Sequence, residues 1–254
     1  VSQDRIGQRV LVRALQTTGA GGEPFATWTF GSECDGAFAE YAKTFAEDAL
    51  PVTSPWTDLE LASIPCASST AEGMLQRAQV GAERVLITGA SGGVGSAAIQ
   101  LAKRRGAHVT AVTSADKAGD VIALGADETI GRDDGLGGDS FDVVVDLVAG
   151  PRWPDMIAAL RRGGRYVTSG AIAGPIVELD VRTLYLRDLT LLGATYQPDN
   201  ILPDVIGYIE RDEIRPVIAE TFDLRDLGAA QETFLSKGHI GKIGIQVAHD
   251  TASP

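Results

Sequence analysis

The sequence predicts an α/β protein built on a doubly wound parallel sheet. Continuous apolar runs, the kind buried on both faces of a parallel sheet, stand at Val85-Leu86-Ile87-Thr88 and Val143-Val144-Val145. Helical segments of ten or so residues alternate with such strands, which is the signature of successive βαβ units. A glycine-rich turn, Thr88-Gly89-Ala90-Ser91-Gly92-Gly93-Val94-Gly95-Ser96, joins the first of these strands to its helix.

Composition narrows the class further. The chain has 254 residues, 44% hydrophobic and 22% charged, enough for one large or two ordinary domains with a sizeable core. No apolar run approaches the ~18 residues of a membrane helix. The net charge of −12, from 22 basic against 34 acidic residues, repels phosphate backbones and anionic lipid. Neither nucleic acid nor membrane is therefore an expected partner. Cys34 and Cys66 are too few for a disulfide framework, and they suit a reduced, cytoplasmic setting. The chain opens on Val1 with no secretory leader pattern, a start that allows it to be a fragment.

Residues 1–64 hold short β-like pieces at 9–14, where Val10, Val12 and Ala14 alternate, and at 36–43. Met74, Leu75 and Ala78 fall at helical spacing, and Gly81 stops that helix. After the strand at Val85 comes a helix over 94–105, with Lys103, Arg104 and Arg105 in its last turn, where cations suit the dipole. Then follow a strand over 108–113, a helix over 115–124 stopped by Gly125, and the Val143 strand. A helix over 154–160 and strands over 165–169 and 189–195 complete the alternating part. From Ile201 onward the texture mixes a helix, a strand near 217–222, a helix over 226–235 and a strand over 242–247.

The glycine-rich turn admits three readings. As a dinucleotide fingerprint, Gly92 lets the backbone approach a pyrophosphate, Gly95 lets helix and strand pack closely, and the helix N-terminus attracts the anion. Ala90 replaces the usual first glycine. As a nucleophile elbow, Gly89-Ala90-Ser91-Gly92-Gly93 fits G-x-S-x-G, with Asp199 or Asp204 and then His239 to complete a hydrolase triad. A P-loop fails because Gly95 is followed by Ser96 and no lysine. A bare turn with no ligand is the remaining account.

The strand that follows discriminates. A dinucleotide site places an acid about 20 residues on, against the adenosine ribose. Here the strand ends in Thr113-Ser114, both neutral, and Asp116 falls in the first helical turn behind a Ser114 cap. A 2′-phosphate is then not repelled, and Ser114 and Lys117 can bind it, which favours NADP(H) over NAD(H).

Asp35-Gly36-Ala37-Phe38-Ala39-Glu40-Tyr41, Ile64-Pro65-Cys66-Ala67-Ser68-Ser69-Thr70-Ala71 and the stretch 85–103 resemble the medium-chain dehydrogenase/reductase superfamily. Within it, the likeness is to zinc-binding alcohol dehydrogenases and quinone oxidoreductases. Segments 146–150, Gly163-Gly164-Arg165, 189–195 and Gly241-Lys242-Ile243 fall in the family's order, so the likeness covers nearly the whole chain. It implies a Rossmann domain at 65–200 inserted in a partial GroES-like β domain, residues 1–64 and 201–254. It implies hydride transfer to or from a small-molecule carbonyl, alcohol or activated alkene, and a homodimer. Ser91, Gly92, Gly93, Val94 and Gly95 would bind the pyrophosphate, and Ser114 and Lys117 the 2′-phosphate. Val148 and the turn Ser169-Gly170-Ala171 would line the ribose and nicotinamide. Thr70 would lie beside the nicotinamide, and Lys242 near a phosphate.

The chain departs from the family in two ways. The structural-zinc lobe, which carries four cysteines in the family, has only Cys34 over residues 16–34, so that zinc is not expected. The likeness also begins at Gly7-Gln8-Arg9-Val10, after a long N-terminal family segment that supplies most of the catalytic domain. The resemblance makes Cys66 a candidate catalytic-zinc ligand, whose partners would lie outside this chain; a small buried hydrophobe is the competing account. Coenzyme binding with poor catalysis is expected of these 254 residues alone. His108, His239 and His249 read as strand and surface residues, and Trp153 as packing.

Overall fold

In the computed structural model, which describes residues 2–16 and 25–247, the chain divides into two units. One comprises Val1–Ser69 with Tyr196–Pro254, and the other is Thr70–Thr195. His249 lies outside the described residues.

The first unit opens with short antiparallel pairs. β1 (Val10–Val12) pairs with β4 (Ala49–Pro51), and β2 (Leu15–Gln16) with β3 (Trp28–Thr29). Arg13, just past β1, is buried and forms a 3.3 Å ion pair with buried Asp48. The expected β piece at 36–43 is not a strand: these residues bend without regular structure. Phe38 and Tyr41 are 63% and 90% exposed, so neither alternating face finds the apolar surface that a half-buried strand requires. α1 (Asp58–Ala62) begins at a capping box in which Thr57 and Glu60 satisfy each other's backbone N–H groups. α2 (Ile64–Arg77) follows.

The second unit is the parallel sheet. Its elements are β5 (Arg84–Ile87), α3 (Gly93–Arg104), β6 (His108–Thr113), α4 (Ala118–Ala123), β7 (Glu128–Gly131), β8 (Phe141–Asp146), α5 (Trp153–Ala159), β9 (Leu160–Thr168), α6 (Val181–Leu186) and β10 (Thr190–Gly193). The strand order is β10-β9-β8-β5-β6-β7, every pair parallel. That is the doubly wound Rossmann order, reversing direction between β5 and β8. Leu86, Ile87, Val143, Val144 and Val145 are fully buried, each worth roughly 1.5–3 kcal/mol of transfer free energy. Trp153 packs in the core, its ring edge-on to Tyr166 at 6.0 Å.

β7 and α6 are additions to the expected elements. β7 is a four-residue edge strand with Glu128 exposed and the other three partly buried, and α6 buries no residue, so neither leaves a strong hydrophobic period. The helix expected over 115–124 is a 3-10 turn, Ala115–Lys117, followed by α4.

The chain then returns to the first unit. α7 (Ile201–Glu210) and α8 (Leu227–Ser236) accompany β11 (Ile218–Asp223) and β12 (Lys242–Gln246), which pair in parallel. The small antiparallel pairs fit a partial GroES-like part. No helix among the described residues is long and apolar enough to cross a membrane.

Candidate coenzyme site

Ligands of doubly wound sheets sit outside the carboxyl ends of the strands, where the strand order reverses. Here that point lies between β5 and β8, and the glycine-rich turn leaves the end of β5. The N–H of Gly92 donates to Gly89 O at 3.0 Å, closing the turn, and Gly92 becomes the N-cap of α3. A glycine cap has no side chain to satisfy the first N–H groups of the helix, those of Gly93, Val94 and Gly95. The first turn also holds no acidic residue, while Lys103 and Arg104 occupy the last. The positive end of the dipole is thus left open to an anion. Gly95 makes this approach possible. A Cβ built there would stand 2.2 Å from Gly89 O and 2.7 Å from Ala90 Cα, so any side chain would push α3 off the turn. Ser91 is half-buried in the turn, with Gly92 exposed beside it.

The second segment leaves β8. Asp146 is completely buried at the strand end, a position that sequence reasoning missed. Its carboxylate accepts hydrogen bonds from the Thr88 and Tyr166 hydroxyls. It also accepts from the Val148 N–H at 2.9 Å and the Ala149 N–H at 3.0 Å. Burial, and next the Asp146 carboxylate, push the Tyr166 phenol far above its usual range. Thr88 Oγ1 in turn accepts the Leu147 N–H at 3.0 Å. The available signal is an acid directly after the Val143-Val144-Val145 run.

This network brings three of the expected segments together. A methyl placed on Gly89 would lie 3.3 Å from both Leu147 Cβ and Val148 Cγ2, so the glycine-rich turn abuts the turn carrying Val148. The Val148 carbonyl accepts the Ala173 N–H at 2.9 Å, and the Asp146 carbonyl accepts the Ser169 N–H at 3.4 Å. Ser169, Gly170 and Ala171 are thereby laid beside Val148.

The end of β6 differs in one detail from expectation. Ser114 precedes the 3-10 turn but makes no side-chain cap. Its hydroxyl instead donates to Asp116, the first cause of that carboxylate's lowered pKa; the charges of Lys117 and Arg132 add to the effect. Asp116 thus comes back to Ser114 from beyond the strand end, and exposed Arg132 is an additional cation there. Lys117 is buried.

The remaining candidates lie elsewhere. Cys66 is exposed on α2, not a buried hydrophobe, and Thr70 is half-buried one turn on. Among the described residues no group of three or more His, Cys, Asp or Glu is gathered as a metal site. One thiolate falls short of the three protein ligands of a catalytic zinc, so these residues do not by themselves fit that metal. Lys242 opens β12 in the first unit, its N–H bonded to Val217 O at 2.8 Å. The elbow reading of Ser91 gains nothing from its own unit. His108, the single histidine there, is at the start of β6, 4.0 Å from Glu128, at the opposite end of the strand from the turn.

Fold and site together define a dinucleotide-binding α/β unit joined to a small β domain. Comparisons with known proteins agree. The zinc-binding dehydrogenase family profile matches residues 93–211. An acryloyl-coenzyme A reductase of Metallosphaera sedula is 30% identical over 84% of this chain and 66% of its own length. The crystal structure of an alcohol dehydrogenase, described as putative, from Sinorhizobium meliloti superposes with a TM-score of 0.90 and 40% identity, over 96% of this chain and 71% of that one. The 2-octenoyl-CoA carboxylase reductase CinF of a Streptomyces, solved with NADP and 2-octenoyl-CoA, gives a TM-score of 0.86 and 27% identity over 94% and 62%. The chain belongs to the medium-chain dehydrogenase/reductase superfamily, a superfamily of oxidoreductases. It spans about two thirds of the length of the Metallosphaera relative.

Proposed function

We propose that this chain is the coenzyme-binding part of an NADP(H)-dependent oxidoreductase that transfers a hydride to or from a small carbonyl, alcohol or activated alkene. The observation that carries the reading is the uncapped α3 N-terminus held against the Gly89 turn by Gly95, at the switch point of the sheet. Residues 65–200 form the coenzyme domain on this reading, and 1–64 with 201–254 the partial catalytic domain.

The N–H groups following Gly92 bind the pyrophosphate, with Ser91 beside them. Ser114, Lys117 and Arg132 face the 2′-phosphate, whose charge replaces Asp116 as the partner of the cations. Val148 and Ser169-Gly170-Ala171 hold the ribose and nicotinamide, with Thr70 beside the ring and Lys242 near a phosphate. The coenzyme, when bound, supplies or accepts the hydride. The names of the Metallosphaera reductase and of CinF, both acting on CoA thioesters of unsaturated acids, support an activated alkene as substrate. The two free cysteines fit a reducing compartment such as the cytoplasm, and a homodimer is the assembled form.

Equilibrium titration with NADPH and NADH tests the reading. Saturable binding of NADPH, at least tenfold tighter than NADH, is expected, and a fluorophosphonate probe should leave Ser91 unlabelled. Labelling of Ser91 without binding of either nucleotide would replace the reading with a hydrolase.

A further inference from the structure

The turn after β8 adopts a conformation that its sequence does not favour. Ala149 has φ 55° and ψ −141°, a region essentially reserved for glycine, and it is followed by Gly150 at φ 72°. A non-glycine residue stays there only when its surroundings over-determine it. What over-determines it is one side chain. Both oxygens of Asp146 reach the Ala149 N–H, at 3.2 and 3.0 Å, and one of them also takes the Val148 N–H at 2.9 Å. The same carboxylate is fixed from its far side by the Thr88 hydroxyl, from the end of β5, and the Tyr166 hydroxyl, from β9. Every group that meets it is a donor, which suits an acceptor-only carboxylate and would leave an amide with one N–H group facing another donor.

We infer that Asp146 is a positioning residue for the coenzyme. By fastening the strained Val148–Ala149 turn to Thr88, the residue before the pyrophosphate loop, it sets the nicotinamide-side turn and the phosphate-side turn at one fixed separation. This rests on the coenzyme-binding reading above. A carboxylate serving only to hold the fold together would need neither of the backbone N–H groups of Val148 and Ala149 that it accepts, since Tyr166 and Thr88 alone would join β9, β8 and β5. Those backbone bonds spend its acceptor capacity on the turn where Val148 stands.

The test pairs two readouts on the 254-residue chain. Asp146→Asn should accelerate hydrogen exchange of the 147–149 amides at least a hundredfold in the coenzyme-free protein, with the strands unchanged. It should also raise the Kd for NADPH at least tenfold, well below the melting temperature. Leu75→Ala, a cavity at a fully buried side chain of α2, is the control. It should lower the melting temperature with a Kd within twofold of the parent. An Asp146→Asn Kd within twofold, whatever its exchange rates, overturns the inference. So does an affinity loss with unchanged exchange at 147–149. Should Asp146→Asn fail to fold, the double variant Thr88→Val/Tyr166→Phe decides by the same two criteria, with a fivefold rise in Kd as the threshold. Failure of the unmodified chain to bind NADPH or NADH, with its 147–149 amides protected, would sink the coenzyme-binding reading and the positioning role with it.

Discussion

Gly95→Ala is the sharpest probe of the coenzyme loop, because the cost can be worked from atoms that cannot turn aside. The added methyl would lie 2.2 Å from Gly89 O, 2.7 Å from Ala90 Cα and 2.9 Å from Ala90 C. Carbon–oxygen contacts of even the attractive kind sit near 3.3 Å, so roughly 1 Å must be found by moving α3 or the turn. All three opposing atoms are backbone, and Ala90 itself is fully buried. The strain therefore belongs at or above the top of the overpacking range, about 3 kcal/mol. For a protein of this size that is roughly 6–12 °C in melting temperature. The same shift carries the N–H groups of Gly93 and Val94 away from the proposed pyrophosphate position, so NADPH should bind at least tenfold more weakly, about 1.4 kcal/mol. Gly119→Ala serves as the matched control: it lies within α4, and its added methyl meets nothing within 4 Å. Alanine is the better helix former by about 1 kcal/mol, so that variant should hold or gain stability. Thermal melts and equilibrium titration of both variants decide. A Gly95→Ala protein that melts within 2 °C of the parent and binds NADPH within twofold would refute the close approach and, with it, the assignment of the loop.

Ser114→Asp places a second carboxylate beside Asp116, where a 2′-phosphate is proposed to sit. Two unit charges about 4 Å apart repel by roughly 4 kcal/mol at an effective dielectric near 20, less with solvent screening. Binding titrations should then show at least a tenfold loss for NADPH and little change for NADH; an equal loss of both would disprove the 2′-phosphate assignment. Ala149→Gly relieves the φ 55° strain and should leave the melting temperature unchanged or raise it, against the loss of up to about 1 kcal/mol usual for Ala→Gly. A fall of several degrees would show that Ala149 is unstrained. Tyr166 has a pKa raised above its ordinary value of 10.0. Its share of stability is therefore complete below pH 10 and is lost as pH rises above it, because the unfolded chain ionises first. Chemical denaturation between pH 8 and 11 should show a steeper decline for the parent than for Tyr166→Phe, and parallel declines would remove Tyr166 from the network.

What could be read in advance follows burial. β5 and β8 are enclosed on both faces, and such strands must be continuously apolar, so Val85-Leu86-Ile87 and Val143-Val144-Val145 announce themselves. The glycine loop is legible because its chemistry requires glycine at fixed steps. β7 is not, because an edge strand needs only partial burial and Glu128 can face solvent. The piece at 36–43 misleads in the opposite direction: its alternating Ala and aromatic residues imitate a half-buried strand, yet all are exposed. Ser114 has the identity of a cap and stands at the N-cap position, but its side chain makes no capping bond and its hydroxyl donates to Asp116 instead. The role of Asp146 is hidden for a different reason. Its partners Thr88 and Tyr166 lie 58 and 20 residues away in sequence, and no local pattern reports a bond closed by strand order.

That strand order explains why one carboxylate can serve both halves of a coenzyme site. β5 and β8 are adjacent and parallel, with Ile87 opposite Val145, and the Thr88 N–H continues the ladder to Val145 O at 3.0 Å. The two chains must part immediately afterwards, since β5 leads to α3 and β8 to α5, which belong to opposite windings of the sheet. Where neighbouring strands separate, the ladder ends and the next backbone groups lose their partners. Asp146 and Thr88 are the first residues past the paired segment, and their side chains take over that task. The Thr88 hydroxyl accepts from Leu147 and donates to Asp146, while the carboxylate accepts from Val148 and Ala149. A crevice for a ligand is thus opened without leaving these backbone groups unsatisfied. The same bonds keep the two departing turns in register with a fully buried ladder.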